Sequence, residues 1–229
     1  EFLPVSSSAH LFLVSEIYKF KSQSLLVDVG LHLGSLLGII FYFRNELKEI
    51  VNNKNLFFLM VLGSLPVIIL GAIIYKTGLI NYFRNIEVIA WTTLIFALLL
   101  YIADKFENKK KIESDLQLKS ILIIGVFQIL ALIPGVSRSG IVITAGRFLN
   151  FSRYDSTKIS FYLSIPAIAG ASFLSLKSLV DENIDLNLIV LVSILLSFIF
   201  SYLTIKYFLI FVKKFTLSTF VIYRIILSA

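Results

Sequence analysis

The sequence contains no cysteine and few charged residues. Without cysteine, the chain has no disulfide, no thiolate metal site and no cysteine nucleophile. Charged residues make up 15% of the 229 positions, whereas an ordinary globular domain carries about a quarter. Hydrophobic residues reach 58%, and the mean hydropathy is +0.91. The composition therefore predicts an integral membrane protein rather than a soluble domain.

Apolar runs of membrane-spanning length recur along the chain. A hydrocarbon core of roughly 30 Å needs about 20 apolar residues in a helix. We expect one polytopic, all-α transmembrane domain over residues 1–229. Its spanning helices are predicted at about 25–43, 56–75, 86–103, 158–176 and 187–205, with a further apolar segment at 215–229.

Two apolar regions are interrupted by proline and followed by serines. They contain EFLPVSSSAH at 1–10 and ALIPGVSRSG at 131–140. Proline and glycine free backbone groups that lipid cannot satisfy, so such breaks survive at membrane depth only when buried in protein or facing a wet cavity. We interpret both breaks as re-entrant helix hairpins. The alternative is a pair of Pro-kinked spanning helices.

The two breaks also indicate an internal repeat. An ungapped alignment at an offset of 130 places Pro4 on Pro134 and Ser7 on Ser137, and it places 31–39 on 161–169. Each half then has a hairpin followed by spanning helices. We expect repeat 1 at about 1–103 and repeat 2 at about 118–229.

Charge predicts the relative orientation of the two halves. The net charge of +7 does not indicate nucleic acid as a partner, because the basic residues lie in short loops between apolar runs. Loops assigned to one side carry 13 Lys and Arg, and loops on the other side carry 5. By the positive-inside rule the first side is cytoplasmic, and the hairpins then open to opposite sides. Inverted repeats of this kind place a site near the midplane.

Arg138 is the most informative polar residue, because a charge inside an apolar region costs about 2.5–3.5 kcal/mol on insertion scales. No acidic residue lies between 120 and 150, so its partner is a carboxylate elsewhere or a bound anion. A guanidinium suits bidentate phosphate binding. Ser137 and Ser139 flank it, and they fit either helix capping or an anion site at a helix start. Ser6 in the first serine cluster has the same interpretation.

The first break adds candidates for catalysis. Ser7 and His10 share a helix face if a helix begins near Ser6, so a histidine could activate a hydroxyl there. Glu1 could bind a divalent ion or act as acid or base. His32 and Asp28 are expected to be structural hydrogen-bonding residues, with a supporting role at the site as the alternative.

These motifs, together with LHLGSLLGIIFYFR at 31–44 and FVIYRIIL at 220–227, resemble the bacterial undecaprenyl-diphosphatase (UppP/BacA) family. The resemblance covers nearly the whole chain. It implies a hydrolase of the bacterial inner membrane that converts undecaprenyl diphosphate to undecaprenyl phosphate and inorganic phosphate. That reaction recycles the lipid carrier of peptidoglycan synthesis and confers bacitracin resistance. The first glutamate of the family's ExxxE motif would lie before residue 1, so we expect the chain to lack N-terminal residues.

The resemblance also implies roles for individual residues. Ser7 and His10 would be the catalytic serine and histidine, and Glu1 a catalytic and metal-binding carboxylate, with Mg²⁺ or Ca²⁺ as the ion. Ser137, Arg138 and Ser139 would bind phosphate. The partners expected are the polyprenyl diphosphate and membrane lipid, with a homodimer left open. The nucleophile stays open among Ser7, His10 and water. The alternative function is a secondary transporter for an anion or a flippase for a lipid phosphate.

Overall fold

The computed structural model describes residues 1–18, 25–78, 85–106, 109–181 and 188–229. Within these ranges the chain is helical, and its sole β-type pairing is an isolated bridge between Lys110 and Phe151. The helices are α1 (Ser7–Tyr18), α2 (Leu25–Tyr42), α3 (Arg44–Asn52), α4 (Lys54–Thr77), α5 (Ile86–Asp104), α6 (Ile112–Asp115), α7 (Leu118–Ile129), α8 (Arg138–Phe148), α9 (Arg153–Asp181), α10 (Leu188–Lys214) and α11 (Ser218–Ser228), with a 3₁₀ turn at Leu130–Leu132.

Helices α4, α5 and α10 are long and apolar enough to cross a membrane. Large apolar side chains on them face outward, among them Trp91 and Phe200, each 64% exposed. Such a surface suits lipid and not water. These helices match the spans predicted at 56–75, 86–103 and 187–205. The described parts of α2 and α11 are shorter apolar helices, so the other three spans stay predictions.

Helices α2 and α10 pack closely because small residues line their contact. A Cβ on Gly34 would lie 2.3 Å from the carbonyl oxygen of Ile194, so no other residue fits there without a shift. Ser35 Oγ lies 3.0 Å from Ser197 Oγ and 3.1 Å from Ser201 Oγ. Small residues and hydroxyl bonds of this kind hold helices together where the hydrophobic effect does not.

A buried ion cluster joins the ends of four helices. Asp104, at the end of α5, accepts a bond from Arg153 Nε of α9 at 2.6 Å and from the backbone N–H of Leu217, just before α11, at 3.1 Å. Arg147 of α8 is fully buried, and its Nε lies 3.6 Å from the same carboxylate. One carboxylate thus faces two guanidinium groups, and its negative charge lowers the cost of burying Arg147.

The two breaks occupy equivalent places in the helix order. The second is a helix–turn–helix in which α7 and α8 pack together, and the first is a turn that leads into α1. Helix α9 packs on α4 as α2 packs on α10, which is the reciprocity expected of two related halves. The repeat boundaries and the re-entrant insertion of the hairpins stay predictions. The side chain of Asp28 lies outside the described ones.

Candidate active site

The second break is a turn whose shape depends on two residues with positive φ. Gly135 has φ +92° and Ser137 has φ +68°. The N–H of Val136 donates to the carbonyl of Ile133, three residues earlier, at 3.3 Å. Ser137 then caps α8, because its Oγ accepts from the N–H of Gly140 at 3.2 Å. Arg138 becomes the first residue of the helix.

The first break repeats this geometry with a tighter turn. The N–H of Val5 donates to the carbonyl of Leu3, two residues earlier, at 2.9 Å. Ser6 has φ +66°, and its Oγ accepts from the N–H of Ala9 at 3.4 Å. Ser6 therefore caps α1 as Ser137 caps α8, and Ser7 takes the position of Arg138.

The ungapped pairing of Ser7 with Ser137 is therefore wrong by one position. The second turn has one extra residue, Gly135, between its proline and its valine. A Cβ at Gly135 would lie 2.1 Å from Thr92 Oγ1, and a positive φ is costly for other residues. The inserted residue is consequently a glycine, and counterparts after the turns are 131 positions apart.

Reciprocal hydrogen bonds hold the two breaks against each other. Ser8 Oγ accepts from the N–H of Gly135 at 3.2 Å. Ser139, the counterpart of Ser8, donates from its Oγ to the carbonyl of Leu3 at 2.8 Å. Each serine thus bonds to the turn backbone of the opposite break, Ser8 as an acceptor and Ser139 as a donor.

The two breaks also contribute opposite charges that meet. Arg138 Nη2 donates to Glu1 Oε2 at 3.0 Å. His32 Nε2, from α2, lies 3.7 Å from the other carboxylate oxygen of Glu1. The sequence left the partner of Arg138 open between a carboxylate elsewhere in the chain and a bound anion. In the structure, the partner is the carboxylate of Glu1.

These residues line a pocket of about 460 Å³. One wall is apolar and comes from α4 at 67–75 and from α9 at 167–171. The rest of the lining includes polar groups. They are Glu1, Ser7, Ser8, His32, Ser137 and Arg138. The pocket therefore joins a charged, hydroxyl-rich end to an apolar surface.

Two predicted phosphate-binding serines do not line this pocket. Ser6 is 1% exposed and Ser139 is 2% exposed. Their hydroxyls bond within the protein, Ser6 as the cap of α1 and Ser139 to Leu3. Their position favours a structural role at the turns over direct contact with a ligand.

His10 also lies away from the pocket lining. Its Nδ1 is 2.7 Å from the carbonyl oxygen of Ser6, and its Nε2 bonds to the hydroxyl of Tyr223 on α11. The two rings stack with their centroids 5.5 Å apart. The structure thus brings Ser7 to Glu1 and Arg138 in one pocket, whereas His10 joins α1 to α11.

Three further residues support the second turn and were not predicted for the site. Thr92 Oγ1 donates to the carbonyl of Pro134 at 2.6 Å, and Thr93 Oγ1 donates to that of Gly135 at 3.3 Å. Arg224, fully buried on α11, donates to the turn as well. The threonines carry no signal in sequence, since hydroxyls are common in helices. Arg224 carried the same signal as Arg138, a cation in an apolar run.

The donor set for a divalent cation is incomplete among the residues that the structure describes. Within them, no group of three His, Asp or Glu side chains comes together. Glu1 is a single carboxylate in the pocket. Mg²⁺ is commonly held by one or two carboxylates together with substrate phosphates, so the donor type fits even though the protein alone makes no cage.

Comparison with known proteins gives one consistent result. The sequence profile of a family described as "Bacitracin resistance protein BacA" matches residues 1–229. An undecaprenyl-diphosphatase of Pelagibacter ubique (strain HTCC1062) is 59% identical over 229 residues, which are 100% of this chain and 90% of that protein. The undecaprenyl-diphosphatase of Elusimicrobium minutum (strain Pei191) is 42% identical over 237 residues, again covering 100% of this chain and 90% of the relative. That of Saccharophagus degradans is 38% identical, with 100% and 91% covered.

Proposed function

The chain belongs to the family of the bacitracin resistance protein BacA, and we propose that its reaction takes place in the pocket between the two breaks. The protein is a multi-pass membrane hydrolase that dephosphorylates undecaprenyl diphosphate. Its role belongs to cell-wall synthesis and bacitracin resistance. The transporter and flippase alternative is not favoured, because the relatives that span the whole chain are named as diphosphatases.

The observation that carries the proposal is the contact of Arg138 with Glu1 in a pocket that Ser7 also lines and that has an apolar wall. A guanidinium binds phosphate oxygens with two parallel hydrogen bonds. The N-terminus of α8 adds a favourable dipole for the same charge. The apolar wall suits a lipid chain, which would keep the diphosphate attached to the membrane while its terminal phosphate reaches the polar end.

Arg138 would bind the terminal phosphate and neutralise the charge that develops during transfer. Ser7 Oγ would attack the phosphorus while the bond to the bridging oxygen breaks, and undecaprenyl phosphate would leave. Water would then displace Ser7 from the phosphoserine and release inorganic phosphate. Ser137 would hold the turn and contact a phosphate oxygen.

Glu1 is the better placed proton acceptor for Ser7. Both line the pocket, whereas the ring nitrogens of His10 bond to Ser6 and Tyr223. A carboxylate paired with a cation is a weak base. When phosphate oxygens compete for Arg138, the pairing with Glu1 weakens and the carboxylate becomes more basic. Substrate binding would therefore prepare its own base. Glu1 and phosphate oxygens would also hold a divalent cation, which supplies further charge neutralisation when bound.

Phosphate release in detergent tests the function. Purified protein supplied with undecaprenyl diphosphate should release one inorganic phosphate per lipid, and chelation followed by return of Mg²⁺ or Ca²⁺ should lower and restore the rate. A transporter or flippase would release none. Absence of phosphate release by folded protein with either cation present would overturn the proposal.

A further inference from the structure

Arg224 is a buried cation that the proposed reaction does not yet use. It lies on α11 and is 0% exposed. Its neighbours in sequence are apolar or aromatic, in the run FVIYRIIL. An ionised group in such a place is unfavourable unless something compensates its charge. Its surroundings should therefore reveal what that compensation is.

Arg224 forms hydrogen bonds with the backbone of the second turn. Its Nη2 donates to the carbonyl oxygens of Gly135 and Val136, each at 3.1 Å. With the threonine bonds from α5, the carbonyls of residues 134, 135 and 136 are all bonded to side chains of other helices. The turn that caps α8 and positions Arg138 is thus fixed from two sides.

The rest of the guanidinium lies next to the start of α8. Its Nε and Nη1 are buried and have no hydrogen-bond partner among the described residues. Nη1 lies 3.1 Å from the position that a Cβ would take on Gly140, and Ser137 Oγ lies 3.2 Å from the same position. The Arg224 guanidinium therefore lies near the start of α8, whose cap, Ser137, lines the pocket.

The other fully buried arginine shows how this protein compensates a purely structural cation. Arg147 lies beside the carboxylate of Asp104 at 3.6 Å and donates to the carbonyl of Phe151. Arg224 forms no ion pair within the part of the chain that the structure describes, although it is equally buried. A ligand that carries negative charge would compensate Arg224, which no carboxylate among the described residues does.

We infer that Arg224 is a second cation of the phosphate site, a positioning residue that fixes the turn at 134–137 and whose charge is balanced by the bound diphosphate. This inference rests on the proposed function of the pocket. Arg138 would contact the phosphates directly, and Arg224 would act on them through Ser137 and the turn. The field of a buried positive charge is screened less in the protein interior than in water, so the Arg224 charge can act on the phosphates without direct contact.

Thermal unfolding with and without inorganic pyrophosphate tests the inference, with Arg147→Met as the matched control. In Arg224→Met, we expect the midpoint without ligand to stay near that of wild type, because the loss of an unbalanced buried charge offsets the loss of the bonds to two carbonyls. The stabilisation by pyrophosphate should disappear, and KM for undecaprenyl diphosphate should rise at least tenfold. In Arg147→Met, the midpoint should fall while the stabilisation by pyrophosphate persists.

Arg224→Lys separates charge from geometry. Lysine keeps the charge but cannot make the forked bonds to two carbonyls, so pyrophosphate should still stabilise it while kcat falls. Wild-type stabilisation and KM in Arg224→Met would overturn the inference, as would its failure to fold without ligand. Wild-type kcat in Arg224→Lys would overturn the positioning role. If the wild-type protein releases phosphate and Arg138→Ala does not, the proposed function stands whatever the result for the Arg224 variants.

Discussion

In both breaks a serine with positive φ caps the following helix, but the first residue of that helix differs between them. Ser6 and Ser137 both have positive φ, and both cap the helix that follows. The next residue is Ser7 in the first break and Arg138 in the second, and both line the same pocket. Equivalent positions thus bring a hydroxyl and a cation to one pocket, where the proposed function uses them as the nucleophile and the phosphate ligand. Two related turns that face each other can supply complementary chemistry from the same kind of capped helix start, even though the second turn is one residue longer.

The breaks also differ in how firmly their turns are held. Side chains of α5 and α11 bond to three successive carbonyls of the second turn. In the first break, the carbonyl of Leu3 accepts a hydrogen bond from Ser139, and the ring of His10 contacts the carbonyl of Ser6. The firmer support belongs to the break that carries Arg138. A cation is useful for catalysis only when its position is fixed before the substrate arrives.

Removal of the cation from the second break should give the largest effect. Arg138→Ala should lower kcat/KM by about 10³-fold or more, because the phosphoryl charge loses its main partner. Arg138→Lys should lose about 10²-fold, since it keeps the charge and loses the fork. Both should fold, and thermal unfolding is the control. Wild-type turnover in the lysine variant would show that fork geometry is irrelevant, and an unfolded alanine variant would indicate a structural ion pair with Glu1.

The counterpart position in the first break should respond differently. Ser7→Ala should lower kcat by about 100-fold or more, since it removes the attacking oxygen. Ser137→Ala should act mainly on KM and should cost about 1 kcal/mol of stability as a lost helix cap. Rates and unfolding curves of the two variants, measured side by side, check this division. Equal losses of kcat with unchanged KM would contradict it.

A smaller effect is expected from the link between the first break and α11. If His10 positions α1, His10→Gln and Tyr223→Phe should each lower kcat by similar factors of less than about tenfold, because each removes the same hydrogen bond. The pH–rate profile should keep its shape in both variants. A loss of 100-fold in His10→Gln alone, with one limb of the profile removed, would restore His10 as the general base.

The smallest effect is expected at the two serines that bond across the breaks. Ser8→Ala and Ser139→Ala each remove one bond between the breaks, so each should cost about 1 kcal/mol in the free energy of unfolding. The two losses should be similar if the bonds are equivalent. Denaturant unfolding in detergent measures both. A large loss in one variant and none in the other would show that the reciprocal bonds are not energetically equivalent.

Much of the site could be predicted from the sequence because its signals are local and costly. Prolines inside apolar runs, serines after them and a cation in the second break indicated both turns and identified Arg138, but the sequence left its partner open between a carboxylate and a bound anion. The role of His10 could not be judged in this way. Ser7 and His10 are three residues apart, but the direction of the imidazole depends on Tyr223, more than 200 positions later in the chain.

Composition and apolar run length by themselves determined that this protein belongs in a membrane, and its motifs determined the family. Only the tertiary structure decided which residues are equivalent, because the backbone conformation of the two turns shows that Gly135 is an extra residue in the second. It also decided that Arg147 has a carboxylate nearby, whereas Arg224 donates to the carbonyls of the second turn. The pairing of a buried charge is a property of the packed helices, since the cost of burial appears only when the neighbours are in place.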